Sequence, residues 1–134
     1  MSLTTINLSV TWALFGLIWV IQLVHYPSFS YIEQSRFLNF HQHHTQSITI
    51  IVAPLMLLEL GLAAWLAYNS GFNWRETIPF VLVLLIWVST VFIQIPIHQK
   101  LAEGKNLELI QKLVLTNWIR TVLWTVKAIW FSFR

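Results

Sequence analysis

The chain has 134 residues, 57% hydrophobic and only 10% charged, with a net charge of +3. A water-soluble domain carries about 25% charged residues, so this composition cannot cover a normal water-facing surface and points to the lipid bilayer as solvent. With no cysteine and no aspartate, and only five glutamates, disulfide frameworks, thiolate metal sites, a Cys nucleophile and most carboxylate catalysis are excluded. The small, dispersed positive charge argues for membrane topology and against nucleic-acid binding.

Four segments reach the roughly 20 apolar residues that a bilayer crossing needs. The N-terminus has no basic residue before its first apolar run, as a cleaved signal peptide would. The first segment, about Thr5 to His25, is therefore read as a mature membrane helix, broken by Pro27. The second runs from about Thr45 to Tyr68, is kinked by Pro54, and stops at "NSGFN", where Gly71 is a helix stop signal. The third runs from about Ile78 to His98, with Pro79 tolerated in its first turn. The stretch "QKLAEGKNLELIQK" then reads as a short amphipathic helix, and the fourth span follows from about Leu113 to Phe133. Short connections force neighbouring spans to be antiparallel. The expected fold is all-α: residues 1–134 as one integral membrane domain, a four-helix up-down-up-down bundle.

The Lys/Arg bias of short loops sets orientation. One side holds Arg36, Lys100, Lys105 and Lys112; the other holds Arg75 and Arg134. The four-charge side is expected to be cytoplasmic and both termini outside, in a multi-pass protein of a bacterial inner (plasma) membrane. Four spans suit a homo-oligomer or a subunit of a larger membrane complex.

That topology gathers the histidines. His25 ends the first span, His41, His43 and His44 precede the second, and His98 ends the third, so all five fall at one end of the bundle. Spacing of three or four residues shares a helix face. Gln22 pairs with His25, Gln94 with His98, His41 with His44, and Asn117 with Arg120 and Thr121. His43 points away from the His41/His44 face and is expected to be exposed. Arg120 lies about 10 Å inside the fourth span and must face inward or snorkel.

Several chemistries are open to such a layer. Neutral imidazoles bind haem, copper, iron or zinc, with His25, His41, His44 and His98 as ligands and His25/His98 as a possible haem clamp. Without metal, His25 or His98 would act as base while Arg120 and Asn117 stabilise an oxyanion on a lipophilic molecule entering from the bilayer. Gln22, Gln94 and Trp118 would then line the cofactor or ligand. The bland alternative is a layer that only holds the bundle of a non-enzymatic accessory subunit together. Transport is third, since no broken-helix pair is obvious.

Glu59 and Lys127 each lie about 21 Å along their helices from this layer. Opposite charges at one depth in hydrocarbon predict a buried pair with a structural role, the functional alternative being a proton-relay carboxylate at Glu59.

The third span ending "QIPIHQKL" and the fourth opening "NWIRTVLW" resemble the small four-helix membrane proteins of the anthrone-oxygenase-like group. The resemblance matches Pro96, His98, Trp118 and Arg120 to that pattern, and departs from it in the Asn117-Trp118 order and the cluster at His41–His44. It implies a membrane oxidoreductase acting on an aromatic or quinone-like compound, with no established cofactor.

Overall fold

The computed structural model describes residues 2–133; Arg134, one of the charges used for orientation, lies outside them. Among the described residues there is no strand, and four long helices account for nearly all of the chain. They are α1 (Leu3–Tyr31), α2 (Gln34–Asn69), α3 (Trp74–Leu101) and α4 (Leu107–Ser132). The first three are long and apolar enough to cross a membrane. Expected as a fourth such span, α4 does not join them, because it carries Asn117, Arg120 and Lys127 on its inward face.

Local sequence explains the helix ends. Ser2, Asn73 and Asn106 cap α1, α3 and α4, each side-chain oxygen accepting a hydrogen bond from a first-turn N–H. At the end of α2 the chain turns through Gly71 at φ +66°, a left-handed conformation that favours glycine. The Phe72 N–H then bonds back to the Ala67 carbonyl at 2.9 Å.

Two expectations are corrected here. Pro27 does not break the first helix at His25. Instead α1 widens into a π-turn over Ile21–His25 and stays helical to Tyr31. Helix α3 does the same, with a π-turn at Thr90–Gln94 just ahead of Pro96. A proline ring clashes with the carbonyl four residues back and removes one N–H; one wider turn absorbs both defects without ending the helix. Nor is there a separate amphipathic helix between the third and fourth spans. Residues 99–112 form the end of α3, a short loop, and the first turns of α4.

The helices pack in a ring, α1 against α2 and α4, and α3 against α2 and α4. Lys105 Nζ ties the α3–α4 loop to the end of α1, donating to the carbonyls of Ser30 (2.9 Å) and Ile32 (2.7 Å). At the other end Trp130 Nε1 donates to the Arg75 carbonyl at 3.3 Å. Leu14, Ile18, Val83 and Ile86 fill the middle of the bundle, and Phe29, Phe37, Leu101 and Leu113 fill the end that carries the histidines.

A buried ionic cluster joins three of the helices. Lys127 on α4 and Glu59 on α2 pair at 2.6 Å, with side chains 0% and 1% exposed. Lys127 Nζ also donates to Thr11 Oγ1 (2.7 Å) and Asn7 Oδ1 (3.4 Å) on α1, which uses all three of its hydrogens. Glu59 accepts from Thr11 Oγ1 at 3.1 Å and Trp124 Nε1 at 3.0 Å. Breaking one side of a buried pair strands the other charge, at about 3–5 kcal/mol. Glu59→Gln should therefore lower the thermal unfolding midpoint strongly, and Glu59→Gln with Lys127→Met should recover most of the loss. Additive losses in that double-mutant cycle would show the two groups to be energetically independent.

Candidate functional site

The wider turns of α1 and α3 keep polar residues facing inward beyond the point where a simple stop at proline would end them. On α1, Gln22, Tyr26 and Phe29 are buried. On α3, Thr90, Gln94 and His98 face the same region, and α2 brings His41 and His44. Asn117, Arg120 and Thr121 come from α4, where their spacing of three and four keeps them on one face.

These groups form two linked networks. In the first, Arg120 is held by Asn117 Oδ1, which accepts from Nε at 2.9 Å and Nη2 at 2.8 Å. Asn117 Nδ2 donates to Gln22 Oε1 at 2.9 Å, Thr121 Oγ1 donates to the same oxygen at 3.1 Å, and Gln22 Nε2 donates to the Val114 carbonyl at 2.9 Å. Asn117 and Gln22 thus use both ends of their amides.

The second network starts from the guanidinium. Arg120 Nη1 donates to Thr90 Oγ1 and Nη2 to Tyr26 Oη, both at 3.3 Å. Tyr26 Oη lies 3.1 Å from His98 Nε2, and His98 Nδ1 lies 3.0 Å from His41 Nε2. With the phenol proton donated to His98, the direction is Arg120 to Tyr26 to His98 to His41. Each shared contact needs one N–H or O–H and one lone pair, so the two imidazoles fit this chain in their neutral form.

A cleft of about 820 Å³ opens between α2 and α3 beside this chain. The two helices pack together near their connecting loop and part toward the histidine end. Met56 and Trp87 mark the deep end, close to Pro54 and the α3 π-turn. The inner wall carries Tyr26, Thr90, Gln94, His98, His41 and Arg120; the rest is mostly aliphatic. Gln94 Oε1 accepts from Ser89 Oγ at 2.9 Å, but among the described residues its Nε2 has no partner, and neither has Trp87 Nε1. Buried donors left unpaired are uncommon and call for an explanation.

The residues singled out in the sequence are placed unequally. His41, His98, Gln94 and Arg120 line the cleft. Asn117 and Gln22 lie behind it and hold the guanidinium. His25 is half-buried against His44, their ring centres 5.4 Å apart, and neither lines the cleft. His43 is exposed. Trp118 departs most from expectation: it is 38% exposed on the outside of α4, edge-on to Trp19.

The four histidines expected as metal or haem ligands do not form one donor set. Phe29 sits among them, its ring centre 5.0 Å from His44, 5.8 Å from His41 and 6.4 Å from His98. It separates the His41/His98 pair from the His25/His44 pair. Among the described residues no three His or Glu side chains are arranged to hold a metal ion.

Tyr26, which links Arg120 to the histidines, was missed in the sequence. Ending the first span at His25 placed it in a turn. A helix carried on through Pro27 would have put it four residues from Gln22, on the same face.

The networks make a mutational contrast. Asn117→Leu leaves Arg120 and Gln22 with unpaired buried groups, each worth about 1–3 kcal/mol and more for a charge. Asn117→Leu should therefore lower the thermal midpoint far more than Trp118→Ala, although the tryptophan is the larger side chain. Equal effects would mean that the buried network does not carry stability at this level.

No family model, no curated protein and no solved structure matches the chain, so its function is read from this geometry.

Proposed function

We propose that the protein is an integral membrane bundle of four antiparallel spans that binds a lipophilic molecule in the cleft between α2 and α3. The single observation that carries this reading is that cleft, apolar over most of its wall and lined at one place by Arg120, Tyr26, His98 and His41. Ligand sites are concave and largely apolar, with a few convergent polar groups. A carbonyl or phenol oxygen seated there would meet unpaired N–H donors on Gln94 and Trp87, a guanidinium, and a histidine placed for proton exchange. An aromatic or quinone-like ligand has that chemistry.

Membrane insertion is supported by an inverted distribution of polarity. Glu59, Lys127, Asn117 and Arg120 are buried, whereas Ile50, Val88, Phe92 and Leu115 are more than half exposed. In water such a surface would aggregate; in lipid it is the ordinary outer face of a span. The cleft parts outward between two helices, a route from the hydrocarbon region. The fourth span belongs to the bundle despite its polar residues, because they face the other helices.

A short-tailed benzoquinone tests the site by quenching tryptophan fluorescence, since Trp87 lines the cleft. The protein in neutral detergent should show saturable quenching. Ala53→Phe, which fills the cleft, should weaken it at least ~tenfold, about 1.4 kcal/mol, with the unfolding midpoint little changed. Non-saturable quenching, or quenching indifferent to Ala53→Phe, would count against the site.

Topology is testable because the chain has no cysteine of its own. In intact cells, a membrane-impermeant maleimide should label Ser70→Cys, and should label Glu103→Cys only after permeabilisation. Labelling of both without permeabilisation would refute the alternating arrangement.

A further inference from the structure

Arg120 is 6% exposed, and every hydrogen bond it makes goes to an uncharged oxygen, on Asn117, Thr90 or Tyr26. Four hydrogen bonds serve five N–H donors, so one N–H has no partner among the described residues. Among the described residues no carboxylate lines the cleft. Glu59 belongs to Lys127, Glu33 faces Arg36 at 3.9 Å, Glu103 and Glu108 are exposed, and Glu76 lies in the first turn of α3 at the opposite end of the bundle. The two buried cations among the described residues are therefore treated differently: Lys127 has its counter-charge within the fold, and Arg120 has none there.

An uncompensated buried charge is costly, and more so in hydrocarbon. Beyond its hydrogen bonds the guanidinium meets the Trp124 ring, 6.0 Å away, whose π-face offsets only part of a full charge, and the cleft that it lines. The other unpaired groups bordering that cleft, Gln94 Nε2 and Trp87 Nε1, are also donors. The inner wall thus offers positive charge and N–H groups to whatever occupies it.

We infer that the physiological ligand of the cleft is a lipophilic anion, a single-tailed or polycyclic carboxylate whose head completes the charge of Arg120. This rests on the reading that the cleft binds lipophilic molecules. A guanidinium takes a carboxylate through short charge-assisted hydrogen bonds. A volume of about 820 Å³ is of the size that holds one such molecule.

The test compares parinaric acid, an intrinsically fluorescent fatty acid, with its methyl ester, which has the same tail and no charge. Energy transfer from tryptophan reports binding to the unaltered protein in neutral detergent. The acid should bind at least about tenfold more tightly than the ester, as a hydrogen bond to a charged group implies. Arg120→Gln should bring the ratio close to one, and Arg120→Lys should keep most of it. Should Arg120→Gln fail to fold, the ratio on the unaltered protein decides alone. Equal affinity for acid and ester overturns the anion while leaving the cleft as a lipophile site. Absence of binding by both overturns the cleft reading and this inference together. Repeating the titration in nanodiscs of phosphatidylglycerol and of phosphatidylcholine separates the sources: acid binding should persist in both, and its loss in phosphatidylglycerol alone would give the site to a phospholipid headgroup instead.

Discussion

A polar group shut inside an apolar bundle must find its partner there, and the whole arrangement of this protein follows from the polar stripe on α4. Asn117, Arg120, Thr121, Trp124 and Lys127 recur at helical spacing on one buried face. The other three helices supply what that face needs. Helix α1 gives Asn7 and Thr11 at one level and Gln22 and Tyr26 at another; α2 gives Glu59; α3 gives Thr90. Water cannot substitute for these partners in a dry interior, so a shift in helix register would strand charges and amides alike. Specific pairing fixes the packing in a way that interchangeable aliphatic contacts would not.

The two polar levels do different things. Around Lys127 every hydrogen of the ammonium is used and the carboxylate is paired at both oxygens. That closure suits a structural clamp. Around Arg120 the account is open: a cation without an anion, unpaired amide and indole N–H groups nearby, and a cleft on one side. At the Lys127 level the charges are matched and the Asn7 amide nitrogen alone is left without a partner among the described residues, whereas at the Arg120 level a full charge is left unmatched beside the cleft.

The irregular backbone belongs to that end too. Both π-turns end two residues before a proline, at Pro27 and Pro96, and both flank the Arg120–Tyr26–His98 chain. Wider turns change which side chains face inward, and such turns are frequent at functional sites. Here they let Gln22, Tyr26 and Phe29 share the inner face of α1, while α3 presents Thr90, Gln94 and His98 to the cleft.

Much of this was readable from residue order. Apolar length marked four segments as candidate spans, three of which are long and apolar enough in the structure, and opposite charges at matching depth identified Glu59 with Lys127. Hairpin alternation alone brought His25, His41, His44 and His98 to one end. What could not be read depends on rotation and on gaps. Trp118 and Asn117 are adjacent in sequence yet one faces out and the other in, and only packing against Gln22 decides which. Tyr26 became central because α1 continues through a proline. Phe29 divides the histidines because its ring, apolar and unremarkable in the sequence, fills the space between them. By itself the sequence determined a helical, lipid-compatible chain with polar groups that must be buried together, since composition and period bound those outcomes. The tertiary structure decided which of those groups satisfy one another and which are left facing a cleft, because that depends on how far two helices part and how each is turned.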